Sequence, residues 1–366
     1  MNIYIFQPAL AAYRLDFFRR LATHYGDSIH VYYSPVRMGA LTARRQLEAW
    51  EKTIGPMRYP IRGIEWQEGA LTVPFRKGDL VVVCGAPRTL STLFVLLKAR
   101  LKGARSIWWG HYWSSTSKTW RHSIRMHLTH LADALLFYTD AEVARFNSDG
   151  WRHRGLVGAL NNGIDLSKVA KLRQHYEPFK RRSNFLFIGR LTKKASLGLL
   201  IEAMSDKALS DVHLHVIGDG EEDIRLSGQA DVLGVAARIT WYGGTTDELR
   251  IAEITNRCAG FVYPGPVGLS LIHAMGYGLP CIVHSDTLRQ GPEIAAFEEG
   301  RTGRSFKNGS VKSLVSAISG LLSDPEGRVK MAARCIEVTR DNYTTESMAV
   351  RFAEFVKSIA PREITE

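Results

Sequence analysis

Three basic side chains near residue 190 have the type and spacing that suit the binding of a phosphate group. They lie in FIGRLTKKASLGLLIEAM (187–204), where Arg190, Lys193 and Lys194 follow a strand-like run and precede a helix-like run. Cations beside the first turn of a helix suit a diphosphate, because the amide groups of that turn add partial positive charge. Taken alone, such a cluster is more commonly a solvated basic surface.

A glycine-rich segment, GPVGLSLIHAMGYGLP (265–280), is a second candidate for anion binding. Its glycines allow the backbone to come close to a ligand, and the first amides of the following helix have no partners within that helix. The apolar run at 269–275 also predicts core packing. The two interpretations are compatible, because backbone amides and side chains face different ways. His273, inside this run, suits either a packed core position or a hydrogen bond to a ligand.

Both segments belong to a regular alternation of strand-like and helix-like runs. This pattern predicts an α/β fold with parallel sheets covered by helices, arranged as two doubly wound, Rossmann-like domains facing a cleft. Ligands in such sheets bind at the carboxyl ends of strands, which is where the candidate residues lie. The strand-like runs occur at 3–6, 29–33, 80–83, 106–109, 134–138, 185–188, 213–217, 239–242, 260–263 and 280–283.

The domain boundaries follow from a change of composition near the middle of the chain. Residues 161–184 are polar and basic and have no strong periodicity, so we interpret this region as a linker. The predicted organisation is an N-terminal domain at 1–165, a linker at 166–183, a C-terminal domain at 184–340 and a helical segment at 341–366.

The charge of the chain is unevenly distributed along the sequence. The net charge is +12, and residues 1–200 hold 31 Lys and Arg against 13 Asp and Glu, a net charge of +18. Such an excess indicates an anionic partner, namely a phosphorylated substrate, a membrane surface or nucleic acid, or else a solvated basic face. No groove-reading motif occurs, which argues against nucleic acid.

Cysteine usage and hydropathy narrow the class of protein further. The four cysteines lie singly in apolar contexts, so we expect neither a disulfide framework nor a metal site, and a reducing cytosol fits. No run of 18 uncharged apolar residues and no signal-peptide pattern is present. We therefore expect a cytoplasmic protein.

The order of the motifs resembles the GT-B glycosyltransferases of the large retaining group called family 4, or glycosyl transferases group 1. The resemblance covers nearly the whole chain, and it implies a GT-B fold in which a C-terminal helix crosses back to the first domain. The motifs that carry it are WWGHYW, ADALLFYTDAEVARF, NNGID, GRL…LLIEAM, VIGDGEE, ITWYGG, YPGPVGLSLIHAMGYGLPCIV and GPE…EEGRTG.

The resemblance implies a binding site for a nucleotide-diphosphate sugar in the second domain. In this family the glycine turn and the helix after it bind the donor diphosphate through backbone amides, which implies this role for Gly268, Leu269 and Ser270. Arg190 and Lys194 would bind the same diphosphate. The other donor-binding residues that the resemblance implies are Gly218, Tyr242, Gly243, Gly265, Val267 and His273.

The chain departs from the family pattern at several of these positions. Two glutamates usually lie eight residues apart, one contacting the donor sugar and the other the ribose, and the matching positions here hold Gly265 and His273. Ala195 stands where a diphosphate-binding lysine is common, and we take the neighbouring Lys194 as its substitute. The first loop, at 6–18, lacks the double glycine of many members, and Arg14 in it is either an acceptor contact or a surface residue.

Two candidate catalytic residues also come from the resemblance. His111 would contact the donor sugar near the reacting carbon, and Gly110 before it indicates close approach to a ligand; the alternative is a histidine packed in an aromatic cluster. Glu293 would face the sugar. The implied reaction is sugar transfer with retention, without a metal or other cofactor, in which the leaving phosphate takes the acceptor proton.

The acceptor side is the first domain in GT-B enzymes. Aromatic and basic residues alternate at 113–130, a pattern that suits an anionic membrane surface and a saccharide or lipid-linked acceptor. They are Trp113, Lys118, Trp120, Arg121 and Arg125. Family analogy predicts a peripheral enzyme on the cytosolic face of the membrane in bacterial O-antigen, capsule or exopolysaccharide assembly. The alternatives are an inactive nucleotide-sugar-binding module, a nucleotide-sugar epimerase and a basic nucleic-acid-binding protein.

Overall fold

The computed structural model describes residues 1–35, 47–113, 119–181 and 183–359. The chain divides into two compact units, of which unit 1 comprises Met1–Asp165 with Thr345–Glu366, and unit 2 comprises Leu166–Thr344. Each unit contains a large parallel sheet with helices packed on it. The predicted α/β fold with two Rossmann-like halves is therefore confirmed.

Unit 1 contains a seven-stranded parallel sheet and a separate antiparallel hairpin among its described residues. Its strands are β1 (Ile3–Gln7), β2 (Ile29–Tyr33), β3 (Glu51–Thr53), β4 (Met57–Ile61), β5 (Ile64–Gln67), β6 (Leu80–Cys84), β7 (Arg105–Trp109), β8 (Ala134–Phe137) and β9 (Val157–Ala159). Its helices are α1 (Leu15–Tyr25), α2 (Leu90–Lys102), α3 (Thr119–Thr129), α4 (Asp140–Ser148) and α13 (Thr345–Ile359). The sheet order is β3-β2-β1-β6-β7-β8-β9, and β4 pairs with β5 in the hairpin.

The last helix, α13, completes the core of unit 1. Met348 and Phe352 lie one turn apart on α13, and both are buried in the cluster that contains Phe17 of α1. The rings of Phe352 and Phe17 meet edge to face, with centroids 6.1 Å apart. At the start of the helix, the Thr345 hydroxyl donates a hydrogen bond to the Asp16 carboxylate. Residues 345–366 thus group with unit 1, as the resemblance implied for the C-terminal helix.

Unit 2 contains a six-stranded parallel sheet among its described residues. Its strands are β10 (Asn184–Ile188), β11 (His213–Ile217), β12 (Ile239–Trp241), β13 (Gly260–Tyr263), β14 (Cys281–His284) and β15 (Gly303–Phe306). Its helices are α5 (Ser167–Leu172), α6 (Pro178–Arg181), α7 (Leu197–Ala203), α8 (Asp223–Val232), α9 (Glu248–Thr255), α10 (Leu269–Gly276), α11 (Val311–Leu322) and α12 (Pro325–Asn342). The order β12-β11-β10-β13-β14-β15 makes β10 and β13 central neighbours. The loops that follow these two strands therefore share one edge of the sheet.

Strands that sequence periodicity missed are short or polar. All ten predicted runs form strands, whereas β3, β4, β5, β9 and β15 were not predicted. Three residues, as in β3 and β9, are too few to show an alternating pattern. In β4, four of the five residues are exposed, so an apolar face is absent from that strand.

The segment predicted to be a linker is part of unit 2. It contains α5 and α6, and Arg181 in α6 is only 2% exposed. The guanidinium carbon of Arg181 lies 4.7 Å from the ring centroid of Tyr176, whose hydroxyl donates to the Ala259 carbonyl over 2.5 Å. The polar composition of this segment therefore reflects side chains that bind backbone groups of the unit, and the predicted separate linker is not found.

The two units differ less in net charge than residues 1–200 and residues 201–366 do. Unit 1 has a net charge of +9 and unit 2 a net charge of +3. The difference arises because residues 166–200, with nine Lys and Arg against one Glu, belong to unit 2. Part of the basic excess of residues 1–200 thus lies in unit 2.

The sequence analysis made predictions about disulfide bonds and about membrane-spanning segments. All four cysteines are free thiols, and three of them are buried. Within the described ranges, no helix is at once long enough and apolar enough to traverse a bilayer.

Replacing Phe352 with alanine should destabilise unit 1 by about 3–5 kcal/mol, because a fully buried aromatic side chain leaves a cavity. Val350→Ala is the matched control, since Val350 lies on the same helix and is 53% exposed; its effect should stay within about 0.5 kcal/mol. Urea unfolding of both variants provides the measurement. Equal losses of stability would show that α13 is not part of the core of unit 1.

Candidate functional site

In unit 2, the loop after β10 runs along the carboxyl edge of the sheet. The Gly189 amide donates to the Ile217 carbonyl over 3.0 Å, and the Leu191 amide donates to the Asp219 carbonyl over 2.7 Å. These bonds fix the backbone on both sides of Arg190, whose side chain is exposed. The predicted phosphate-binding cation therefore stands on a backbone anchored to the end of β11.

Gly265, after β13, is where this loop meets the glycine-rich segment. A Cβ atom at Gly265 would lie 2.1 Å from the Lys194 carbonyl oxygen and 2.8 Å from the Ala195 carbonyl carbon, closer than real Cβ atoms approach. The glutamate that the family usually carries here therefore requires the backbone to move. Ala195 is 1% exposed, whereas the Lys194 side chain is exposed. Lys194 is thus the residue of this pair with a solvent-accessible cation.

The start of α10 presents the candidate amides for the diphosphate. Gly268 precedes the helix, no side chain caps this end, and Leu269 and Ser270 are its first two residues. The amide of Val267 instead donates to Gln290 Oε1 over 2.8 Å, and the Val267 carbonyl accepts the Gly291 amide over 3.2 Å. The Val267 amide is therefore already paired, so its predicted donor-binding role does not use that amide, and Gly268, Leu269 and Ser270 stay the candidates for the diphosphate.

Glu293 lies beside this helix end. Its residue is 6% exposed, and its Oε2 would lie 2.9 Å from a Cβ at Gly291 and 3.9 Å from a Cβ at Gly268. A carboxylate repels a phosphate and accepts hydrogen bonds from hydroxyls. A hydroxyl is therefore the group that this carboxylate could bind near the helix end, and its contact with the donor sugar stays a prediction.

Three of the predicted donor-binding residues lie at the ends of β11 and β12. The Gly218 amide donates to the Gly243 carbonyl over 2.9 Å, which joins the two strand ends. The Tyr242 hydroxyl forms a hydrogen bond with His215 Nδ1 over 2.9 Å, and the two rings stack with centroids 5.8 Å apart. Burial raises the pKa of Tyr242. The structure thus brings Gly218 and Gly243 together and orients Tyr242 towards His215.

His273 binds a carboxylate that the sequence analysis did not single out. Its Nε2 donates to Glu248 Oε1 over 2.9 Å, and the Tyr277 hydroxyl donates to the same oxygen over 2.6 Å. Glu248 is the first residue of α9, and its side chain is 20% exposed, against 15% for His273. A carboxylate is therefore present beside this position after all, supplied by α9 instead of by residue 273.

Opposing effects set the pKa of Glu248. Burial raises it, whereas the hydrogen bond and charge of His273, and then the hydrogen bond from Tyr277, lower it; the net pKa is below the ordinary value. Burial and the hydrogen bond to Glu248 both raise the pKa of Tyr277. At neutral pH the carboxylate is therefore ionised and accepts two hydrogen bonds.

In unit 1, His111 follows β7 and stacks on Tyr138, with ring centroids 4.0 Å apart. Its Nδ1 lies 3.8 Å from Glu142 Oε1, and its side chain is 44% exposed. Glu142 is buried and accepts the amides of Tyr112 over 3.0 Å and Tyr138 over 2.9 Å. One carboxylate therefore ties the loop after β7 to the loop after β8 and fixes the backbone that carries the imidazole.

Gly110 is required by packing inside unit 1. A Cβ at Gly110 would lie 2.8 Å from Gly85 Cα, and a Cβ at Gly85 would lie 2.2 Å from Trp108 Nε1. The Trp108 side chain is fully buried. The close approach at Gly110 that the sequence indicated is thus a contact within unit 1, and it does not support a ligand at His111. The prediction of a ligand there depends on the exposure of the imidazole.

Arg14 and Trp113 are both packed against other side chains. Arg14 is 6% exposed, and its guanidinium carbon lies 4.7 Å from the Trp109 ring centroid and 5.4 Å from that of Tyr138. It is therefore not a surface residue, and it supports the ring on which the His111 imidazole stacks. The Trp113 ring is covered by Arg145, whose guanidinium carbon is 4.9 Å from the ring centroid.

Sequence reasoning missed Glu142 and Glu248 for different reasons. Thr139 and Glu142 form a reciprocal capping box at the start of α4, a local signal that the stretch TDAE displays. Glu248 and His273 are 25 residues apart in the chain and meet only in the tertiary structure, so no local pattern identifies Glu248. Among the described residues, no group of three or more His, Cys, Asp or Glu side chains is placed to hold a metal ion.

The sequence of this chain is similar to those of known glycosyltransferases. Residues 169–341 match the family described as glycosyl transferases group 1. The lipopolysaccharide 1,6-galactosyltransferase of Salmonella typhimurium (strain LT2) is 27% identical over 152 residues, 40% of each chain. The lipopolysaccharide core biosynthesis glycosyltransferase LpsE of Rhizobium meliloti (strain 1021) is 22% identical over 227 residues, 62% of this chain and 64% of LpsE. The match thus spans less than two thirds of each relative.

Solved structures support the fold. The crystal structure of Anabaena HepE in complex with UDP has a TM-score of 0.71 to this chain at 17% identity, covering 98% of this chain and 100% of that one. At this identity the likeness concerns the fold alone, and it agrees with the GT-B fold that the motifs implied.

His273→Glu should destabilise the protein by about 1–3 kcal/mol at pH 7, because it places a second carboxylate within hydrogen-bond distance of Glu248. Repulsion between the two neighbouring carboxylates raises the pKa of one of them. The loss of stability should therefore be smaller at pH 5 than at pH 8. In the wild-type protein the pKa of Glu248 is lowered, so its contribution is constant over this range and is lost only at lower pH.

The double variant His273→Glu/Glu248→Gln is the control, and it should recover most of the lost stability. Urea unfolding at pH 5, 6, 7 and 8 provides the measurement. A single variant as stable as the wild type at pH 8 would contradict the contact between these two side chains.

Proposed function

We propose that this chain, whose residues 169–341 belong to the glycosyl transferases of group 1, transfers a sugar from a nucleotide-diphosphate sugar to a saccharide or lipid-linked acceptor. The observation that carries the proposal is the contact in unit 2 between the loop at 189–195 and Gly265. This contact places an exposed cation, Lys194, next to the segment that leads into α10. A diphosphate needs such a combination of cations and helix amides.

UDP-hexose is the first donor to test. The HepE structure is described as a complex with UDP, and one relative is named a galactosyltransferase. The ends of β11 and β12, with Gly218 and Gly243, are assigned to the nucleoside. The ribose is assigned to Glu248, which His273 and Tyr277 hold through its Oε1, because a carboxylate can accept further hydrogen bonds from ribose hydroxyls.

The proposed mechanism stabilises the charge of the leaving group. When the bond between the donor sugar and its phosphate breaks, the nucleoside diphosphate gains negative charge. Arg190, Lys194 and the first amides of α10 stabilise that charge by electrostatic interaction, without a resident metal ion. Glu293 binds a hydroxyl of the sugar. We infer transfer with retention, in which the leaving phosphate accepts the proton of the acceptor hydroxyl.

The acceptor belongs to bacterial surface polysaccharide. Both relatives are named for lipopolysaccharide, so the lipopolysaccharide core is the favoured destination of the transferred sugar. His111, whose side chain is 44% exposed on the loop after β7, is assigned to the reacting groups. Release of nucleoside diphosphate on addition of acceptor separates this proposal from an inactive sugar-nucleotide-binding module.

A peripheral association with the cytosolic membrane surface is the second part of the proposal. On α3, Trp120 and Ile124 lie one turn apart and are 57% and 47% exposed. Arg121 lies over the Trp120 ring at 5.2 Å. Apolar side chains among cations suit an anionic bilayer surface. Lys118, which was expected to join this face, lies outside the described residues.

Arg190→Ala and Lys194→Ala should each weaken the binding of UDP by roughly 10- to 150-fold, the equivalent of about 1.5–3 kcal/mol for one charge-assisted contact. Lys207→Ala is the matched control, because Lys207 is an exposed lysine of unit 2 that comes before β11, away from the loops at the carboxyl ends of the strands. Calorimetric titration with UDP and an assay of UDP release from UDP-hexoses provide the measurements. If all three variants bind UDP as tightly as the wild type, the assigned diphosphate site is wrong.

Vesicles that contain anionic lipid should bind the protein, and binding should weaken as salt rises, because exposed charges are screened. Trp120→Ala should reduce binding, whereas Phe179→Ala should not, since Phe179 is an exposed aromatic residue of unit 2 (80% exposed). Cosedimentation at two salt concentrations measures both effects. Equal binding to neutral and anionic vesicles would contradict the assignment.

A further inference from the structure

A cavity of about 850 Å³ opens beside His111 in unit 1. Its volume lies within the range of sites for small molecules, about 300–1,000 Å³. Its wall is formed by residues of four separate segments, within 62–64, 85–90, 111 and 120–125. The cavity is therefore a product of the packing of the β4–β5 hairpin, the start of α2, and α3 around the loop after β7.

Positive charge dominates this cavity. The residues described around it include four arginines and no carboxylate: Arg62, Arg88, Arg121 and Arg125. Two carboxylates lie close behind the wall, namely Glu65, paired with Arg88 over 3.0 Å, and Glu142, 3.8 Å from His111 Nδ1. Even when both are counted against the four arginines, an excess of two positive charges remains. An anionic ligand would balance it.

Two of the arginines are held by other groups of unit 1. The Arg88 guanidinium is bound by Glu65, and the Arg88 carbonyl accepts the Glu65 amide over 2.8 Å. Arg125 is half-buried and donates to the Tyr112 carbonyl over 3.5 Å. Guanidinium groups that are already oriented lose less entropy when they bind a ligand. This arrangement favours a binding site over a set of freely moving surface charges.

Part of the same wall is apolar and aromatic. Leu90, Trp120 and Ile124 line it, and the Trp120 ring carries Arg121 at 5.2 Å. An indole ring packs well against the C–H groups of a sugar ring. The cavity thus combines a surface for a saccharide with a surface for an anion, beside the exposed imidazole of His111.

We propose that this cavity binds the acceptor and that the acceptor saccharide carries a phosphate monoester. The inference rests on the proposed function, because it names the acceptor class of that activity. Arginine forks bind phosphate oxygens in pairs, so a doubly charged monoester matches the excess charge, whereas a neutral saccharide leaves it unbalanced. The phosphate belongs either to a soluble saccharide or to a saccharide or headgroup attached to lipid.

The soluble source is tested by calorimetric titration with glucose 6-phosphate in the presence of saturating UDP, which occupies the donor phosphate site. The wild-type protein should bind glucose 6-phosphate and not glucose. The variant Arg62→Gln/Arg121→Gln should weaken this binding at least about tenfold. Arg105→Gln is the matched control and should bind normally, since Arg105 is an exposed residue at the opposite end of β7 from His111.

The lipid source is tested with vesicles of phosphatidic acid, a phosphate monoester, against vesicles of phosphatidylglycerol at equal surface charge. General attraction to a membrane predicts equal binding to the two. The cavity predicts a preference for phosphatidic acid that disappears in Arg62→Gln/Arg121→Gln and persists in Arg105→Gln. This preference for phosphatidic acid would support the proposal with a lipid-linked phosphate. Loss of glucose 6-phosphate binding in the double variant would support it with a soluble saccharide phosphate.

The two proposals fail in distinguishable ways. If Arg62→Gln/Arg121→Gln binds glucose 6-phosphate and phosphatidic acid vesicles as well as Arg105→Gln does, the cavity is not a phosphate site. This conclusion holds whether or not the protein binds UDP and releases it from UDP-hexose. If the protein does not bind UDP but loses phosphate binding in the double variant, the proposed donor function is wrong and the assignment of the cavity to a phosphate monoester is supported. Thermal melting of each variant shows that these exposed substitutions leave the fold intact.

Discussion

The contact between Gly265 and the Lys194 carbonyl is the constraint on which the donor side of unit 2 depends. It exists because β10 and β13 are adjacent parallel strands, so the loops that follow them compete for the same space. A backbone oxygen 2.1 Å from the position of a Cβ leaves room for glycine alone. The loss of the family glutamate at this position and the burial of Ala195 therefore belong to one packing arrangement.

One carboxylate organises the candidate site in each unit, and Glu142 is buried whereas the Glu248 side chain is 20% exposed. Glu142 accepts backbone amides from two loops of unit 1, and Glu248 accepts hydrogen bonds from His273 in α10 and from Tyr277, the residue after α10. A buried carboxylate is stable only when its oxygens are paired, so each one holds its donors in fixed positions. In both units an imidazole lies next to the carboxylate. His273 makes a hydrogen bond of 2.9 Å, whereas His111 stays 3.8 Å away and stacks on Tyr138.

The structure shows that the basic residues of the first 200 positions lie in several different places. The basic first 200 residues divide between the units, and the donor side receives Arg190, Lys193 and Lys194. Some cations are internal: Arg14 and Arg181 are buried against aromatic rings and do not contribute to an exposed basic face. The arginines around the cavity beside His111 are therefore a more specific sign of an anionic ligand than the net charge of the chain.

The sequence by itself determined the alternation of strands and helices, the fold class and the positions of the glycine-rich loops. These features are local, because an alternating or helical pattern and a glycine turn are encoded by residues near one another in the chain. Ten strands were predictable in this way, and so was the placement of Arg190, Lys194 and Gly268 after strands.

The tertiary structure alone decided which distant residues meet. The pairing of His273 with Glu248, the burial of Arg14 and the grouping of four arginines from separate segments around one cavity depend on how helices and loops pack. No local pattern records these contacts, because their free energy comes from groups that are far apart in the sequence and become neighbours only in the folded chain.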